Sequence, residues 1–333
     1  MTVTIGRREL LVALGGAAAA WPLAARAQQP GRMPRVGILM GTADSDIEGQ
    51  ARLAALRKGL ESLGWSEGRN IRIDVRWAAS DDATRIHAAE LVALRPDVIV
   101  ANGTPATTVL QQQTQTVPVV FTMVTDPVGQ ELVKSLAHPG GNITGFTNFE
   151  FSMGGKWLGI LKEMVPRLER VVVPFHPQTA PYAASFLQPL EVAAASLAVS
   201  PRAVAVHDES EIERVLETAA RESNCGLIVV PSIFMTAYRD LIISLAARYR
   251  VPALYAFRYF ATNGGLISYG TDSADIHIRA AAYVDRMLKG TRAADLPVQQ
   301  PTKFEFVINL KTAKRLGLDV PATLLARADE VIE

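Results

Sequence analysis

The segment Asn102-Gly103-Thr104-Pro105-Ala106 offers the clearest binding chemistry in this chain, directly after an apolar run that ends at Ala101. Thr104 suits the cap of a following helix and Pro105 its first position. The first N–H groups of such a helix lack partners within it and can receive a carboxylate. Gly103 lets a ligand approach the backbone. The segment therefore reads either as a capped turn or as one wall of an anion site. Thr125-Asp126-Pro127 follows another apolar run. Asp126 either caps the turn after it or accepts hydrogen bonds from an ammonium group. Three more loops combine a cap with a candidate contact. They are Pro231-Ser232-Ile233-Phe234, Thr271-Asp272-Ser273 after Tyr269, and the weaker Gly41-Thr42-Ala43-Asp44-Ser45. The candidate ligand contacts are thus Thr42, Asn102, Gly103, Thr104, Asp126, Ser232, Phe234, Tyr269, Thr271 and Asp272. Phe234, Tyr238, Phe257, Tyr259 and Tyr269 are read either as core or as aromatic walls.

Reactive constellations are missing. There is no Cys-x-x-Cys, no His-Glu-x-x-His and no Gly-x-x-x-x-Gly-Lys. Gly265-Leu266-Ile267-Ser268-Tyr269-Gly270 is one residue too long for a nucleophile elbow. The five histidines, His87, His138, His176, His207 and His277, have spacings that fit no metal site. No catalytic residue, metal or cofactor is expected. Polar loops at strand ends, helix N-termini and aromatic walls suit binding better than turnover.

The elements that must position these loops alternate. Val36–Met40, Ile71–Trp77, Val98–Ala101, Val117–Val124 and Ile143–Phe146 read as strands. Helices are expected over Ile47–Leu63, Ile86–Leu94, Thr107–Gln115 and, briefly, from Asp126 through Leu136. Continuous apolar strands alternating with helices predict a parallel sheet covered on both faces. The same alternation runs again from Met153 to Ala256, without a detectable sequence repeat. Two doubly wound α/β lobes are predicted: lobe 1 over 34–147 plus 263–290, lobe 2 over 148–262 plus 298–333. A chain that crosses between lobes more than once makes a hinge. Ligands of open α/β sheets bind at the carboxyl ends of strands, where all of these loops fall.

Composition sets the compartment and excludes some partners. Arg7-Arg8, the uncharged run to Ala25 and the small-x-small Ala25-Arg26-Ala27 follow the order of an export signal. Cleavage is expected near Ala27, with an uncut anchor as the alternative. The arginine pair suggests the twin-arginine route, although Leu10-Leu11-Val12 matches its pattern only in part and leaves the general route open. Cys225 is the only cysteine, so no internal disulfide and no lipid-modified N-terminus are expected. That favours a freely diffusing monomer in the periplasm. A net charge of +1 recruits neither nucleic acid nor an anionic membrane.

Several segments resemble a known family. They are Gly15 through Gln28, Thr125-Asp126-Pro127-Val128, His138-Pro139-Gly140-Gly141-Asn142-Ile143-Thr144-Gly145, Gly264 through Gly270 and, most specifically, Pro301-Thr302-Lys303-Phe304-Glu305-Phe306-Val307-Ile308-Asn309-Leu310-Lys311-Thr312-Ala313-Lys314. The chain resembles, from Arg7 to Glu333, the ABC-transporter substrate-binding proteins of the tryptophan- and tyrosine-uptake type. The resemblance implies a type I periplasmic-binding-protein fold, a small solute in the cleft, and a permease and an ATPase as partners. It also implies that the loops at Asn102–Thr104, Asp126 and Thr271-Asp272 line the cleft, with Asp126 the first choice for holding an amino acid's ammonium. Pro174-Phe175-His176-Pro177 and Pro231-Ser232-Ile233-Phe234 depart from the turns that relatives carry there. The expected solute is an amino acid, aromatic or branched, with small aromatic acids or other carboxylates next. A component that senses its ligand and signals to a membrane receptor is the alternative role.

Overall fold

The computed structural model describes residues 32–333, of which Arg35–Glu333 form one compact unit. The export-signal reading lies outside the described residues. Two sheets organise this unit. The first has five parallel strands in the order β2-β1-β3-β4-β5: β1 (Arg35–Met40), β2 (Arg72–Trp77), β3 (Val98–Asn102), β4 (Val119–Val124) and β5 (Ile143–Thr147). Every residue of β3, β4 and β5 is buried, which explains why they read as continuous apolar runs. Helices α1 (Ile47–Ser62), α2 (Asp81–Ala93) and α3 (Thr104–Gln113) connect these strands. Asp46 and Ser80 cap the first two by accepting the N–H groups of Gly49 and Ala83.

The second sheet has seven strands in the order β12-β11-β10-β9-β8-β6-β7. They are β6 (Arg170–Phe175), β7 (Ser200–Ala205), β8 (Cys225–Val229), β9 (Ala253–Tyr255), β10 (Ile267–Thr271), β11 (Phe304–Asn309) and β12 (Glu330–Ile332). All pairs are parallel except β10 with β11. The helices here are α4 (Met153–Met164), α5 (Ala183–Leu197), α6 (Glu209–Arg221), α7 (Ile233–Ala237), α8 (Arg239–Arg248), α9 (Arg258–Thr262), α10 (Ser273–Leu288), α11 (Leu310–Leu316) and α12 (Ala322–Leu325). Two lobes of sheet and helix result, as the alternation predicts.

Three details differ from the sequence reading. The segment 127–136 forms turns rather than a helix, held by bonds such as Leu132 N–H to Pro127 O. Its Pro-Val-Gly-Gln start, with a glycine in what would be the first turn, disfavours a helix here despite apolar residues at helical spacing. Helix α2 starts at Asp81 and not Ile86, because Ser80 supplies the cap. The segment 263–290 belongs to neither lobe whole. Its strand β10 pairs with β9 and β11 in the second sheet, while helix α10 packs against α1 on the first. Gly59 of α1 makes that packing close: a methyl there would stand 2.7 Å from Ala281 Cβ and 2.8 Å from Ile278 O.

The chain therefore crosses between sheets three times: after β5, between β10 and α10, and between Gln299 and β11. The crossings are tied to one another. Thr147 N–H donates to Gln299 O at 2.9 Å, and Asp272 N–H to Lys303 O at 3.2 Å. Lys303 Nζ meets Asp272 Oδ2 at 2.6 Å.

Candidate functional site

The carboxyl ends of both sheets face each other across a cleft. From the first lobe the cleft is lined by Arg52, Asn102, Gly103, Thr104, Pro105, Met123 and Asn148. From the second it is lined by Thr179, Tyr182, Pro231, Ser232, Ile233, Thr236 and Phe257. The lobes nearly meet. The enclosed space is about 30 Å³, room for roughly two waters. Gly103 is needed on two counts: its φ is 88°, and a methyl there would come 2.9 Å from Ile233 Cδ1 of the opposite lobe. The same Ile233 atom stands 3.1 Å from a methyl built on Gly41.

Each lining residue is placed by its element. Helix α3 begins without a side-chain cap, and Gly103, Thr104 and Pro105 at its start line the cleft. Asn102 ends β3, and its amide nitrogen lies 3.0 Å from His277 Nε2 and 3.3 Å from Thr122 Oγ1. His277 Nδ1 lies 2.7 Å from Ser273 O, so Nδ1 carries the proton and Nε2 accepts from Asn102. Burial pushes the His277 pKa down to about 3, with the Arg52 charge adding to the effect against the bond to Ser273. The imidazole therefore stays neutral and turns the Asn102 carbonyl oxygen away from itself. Met123 sits at φ 57° where the β4–β5 register shifts, an irregularity of the kind that re-aims side chains beside sites. Ser232 caps α7 by accepting from Met235 N–H at 3.1 Å. Tyr182 donates to Pro231 O at 2.8 Å, and burial raises its phenol to about 12. Thr236 Oγ1 donates to Ser232 O at 2.9 Å and lies 2.9 Å from the Tyr259 hydroxyl.

Among the described residues, Arg52 is the only charged one lining the cleft. It is 5% exposed, its Nε has no hydrogen-bond partner, and it forms no ion pair among the described residues. Its guanidinium carbon stands 6.0 Å from the centre of the Tyr259 ring. Glu48, one turn earlier on α1, does not line the cleft, and burial raises its pKa despite the Arg52 charge.

The structure brings four of the predicted residues together here: Asn102, Gly103, Thr104 and Ser232. Six lie elsewhere. Asp126 turns its carboxylate into its own loop, where Oδ1 accepts from Gly129 N–H at 2.9 Å, so the capping alternative is the one the structure adopts. Phe234 stacks on His176, ring centres 4.2 Å apart. Tyr269 packs beside Phe304 and Phe306 on a different surface, and its carbonyl accepts from Trp157 Nε1. Side chains alternate along a strand, and position 269 falls on the face of β10 that carries Phe304 and Phe306 of β11. Asp272 caps α10 and pairs with Lys303 in the hinge. Burial pushes its pKa up, but the bonds from Lys303 and from the Asp275 and Ala274 N–H groups outweigh it and hold the carboxyl low. The hydroxyls of Thr42 and Thr271 are buried without hydrogen-bond partners among the described residues, and neither residue lines the cleft. Arg52, Met123, Asn148, Thr179, Tyr182 and Thr236 escaped the sequence reading. Only Arg52 left a signal: it falls on the buried stripe Gly49, Leu53, Leu56, Gly59, Leu60 of α1, where a charge is out of place.

Among the described residues there is no group of three or more metal-ligating side chains, and no helix is long and apolar enough to cross a membrane. A sequence profile of the family described as ABC transporter substrate binding protein matches residues 46–332. The chain is 25% identical over 262 residues to the tyrosine-binding protein of Clostridioides difficile, covering 78% of this chain and 75% of that one. Among solved structures it is similar to a conserved domain protein from Vibrio cholerae, with a TM-score of 0.83 and 28% identity over 90% of this chain and 100% of that one. A structure of an ABC domain in complex with L-Trp from Streptococcus pneumonia has the same fold, with a TM-score of 0.83 at 22% identity, again over 90% and 100% of the two chains. With residues 46–332 matched by its profile, the chain belongs to the ABC transporter substrate-binding proteins, a family of solute-binding components rather than enzymes.

Proposed function

We propose that this protein captures a small carboxylate-bearing solute between its lobes and hands it, chemically unchanged, to a permease and its ATPase. The observation that carries this is the shut cleft itself, lined from both lobes by hydrogen-bonding groups and by one buried cation. The cleft is too small for a solute in its closed form, so capture requires the lobes to part and close again. A solute favours the closed form only by binding it better than the open one. The relatives named for tyrosine and bound to L-Trp support a solute carrying a carboxylate and a ring. Phe257 and Met123 supply apolar walls for such a ring.

The place of work is the periplasm, reached through a signal ending near Ala27, where the protein acts as an unanchored monomer. Cell fractionation, mass determination and sedimentation test this part. The solute is found by a thermal-shift screen of the mature protein against amino acids and organic acids. A true solute raises Tm in proportion to the logarithm of its concentration above Kd. If neither set moves Tm, the carboxylate reading fails.

A further inference from the structure

We propose that Arg52 holds the carboxylate of the solute, and that this solute carries no ammonium group. The inference rests on the cleft being the capture site and narrows the solute within the carboxylate class. A guanidinium at 5% exposure is costly to bury without an anion. Here it has none: Nε lacks any partner and no carboxylate pairs with it among the described residues. Tyr259, under its face, supplies a ring and a hydroxyl but no charge. The nearby acids are otherwise engaged. Asp46 pairs with Arg239 at 2.8 Å and caps α1. Glu48, one turn before Arg52, feels its charge but forms no ion pair with it among the described residues and lies outside the lining.

The rest of the cleft has the same sign. The uncapped start of α3 presents N–H groups to the same space as Arg52. A carboxylate set between them meets a planar donor fork on one side and a helix end on the other. An ammonium group in that space meets no acid, because no Asp or Glu among the described residues lines the cleft. Asp126, the one acid that the family pattern would place there, spends its carboxylate on Gly129. A zwitterionic amino acid must leave its ammonium desolvated among neutral oxygens alone, such as those of Asn102, Asn148 and Ser232. A simple carboxylic acid bears no such cost.

Matched ligand pairs and two variants test this by calorimetry. The pairs are L-tyrosine with 3-(4-hydroxyphenyl)propionate, and L-tryptophan with indole-3-propionate. The desamino acids are expected to bind at least tenfold more tightly than the amino acids. Arg52→Met is expected to weaken the acids at least 100-fold and Arg52→Lys about tenfold. Removing an unpaired buried charge should leave the unliganded Tm of Arg52→Met unchanged or raised, whereas a structural arginine would lower it. Amino acids binding more tightly than their desamino partners would overturn the second half of the proposal. Undiminished binding of the acids by Arg52→Met would overturn the first half and leave carboxylate capture standing. If no carboxylate of either kind binds the parent protein, both the proposal and the reading of the cleft fall.

Discussion

At the scale of single residues, the site depends on a histidine that never touches the solute space. His277 holds Asn102 through Nε2 and is fixed by Ser273 through Nδ1. Its folded pKa of about 3 lies below the ordinary value of 6.5, so the unfolded chain takes up a proton that the folded one refuses. Stability is therefore intact above pH 6.5 and falls as pH drops toward 3, by up to about 1.4 kcal/mol per unit. Urea midpoints between pH 6.5 and 5 should show this slope, and His277→Gln should remove most of it. An unchanged slope in that variant would assign the effect elsewhere. Asp126 gives a contrary expectation. Because its carboxylate serves its own turn, Asp126→Ala should change solute affinity by less than about twofold while costing roughly 1 kcal/mol of stability. Affinity and urea midpoint measured on the same preparation decide it. The loops around Asn102 and Ser232 were legible because strand ends and caps announce themselves in sequence. Arg52 left only the weak mark of a charge on the buried stripe of α1, because its role depends on Tyr259 and the other second-lobe residues that close over it, which lie far away in sequence.

At the scale of elements, the alternation of strands and helices was readable through most of the chain. Buried parallel strands must be continuous apolar runs, and caps such as Ser80, Asp208 and Asp272 mark helix starts. Strand β10 was not placed by reading 263–290 as lobe 1, since it pairs with β9 and β11 in the second sheet, whereas helix α10 does pack on the first. Its buried face, including Ile276, Ala280, Ala281 and Val284, would suit either lobe. The close approach at Gly59 settles it. Gly59→Ala adds helix propensity worth roughly 0.5–1 kcal/mol, but it forces a methyl against Ala281 and the Ile278 carbonyl. Overpacking of that kind costs about 1–3 kcal/mol, so the net change should be destabilising. A thermal melt that rises in Gly59→Ala would show that the two helices can separate without loss.

At the scale of the whole molecule, an ion pair spans the cleft. Arg239 Nη1 of the second lobe meets Asp46 Oδ2 of the first at 2.8 Å, with side chains only 14% and 12% exposed. A largely buried pair of this kind resists separation more than a surface pair does. Arg239→Ala should shift the unliganded protein toward open forms, visible as a larger radius of gyration in X-ray scattering. Solute release should quicken by about 5–30-fold, as expected for losing roughly 1–2 kcal/mol from the closed state. Stopped-flow displacement would measure it, and an unaltered release rate would show that closure does not lean on this contact. The threading of α10 has a different consequence, one that concerns manufacture rather than use. The first lobe is finished only by a helix encoded after most of the second, so a ribosome that has made the first 147 residues has not yet made a foldable body. Neither half of the gene, expressed alone, should yield a stable product, and the nascent chain must wait near its end before either lobe can lock.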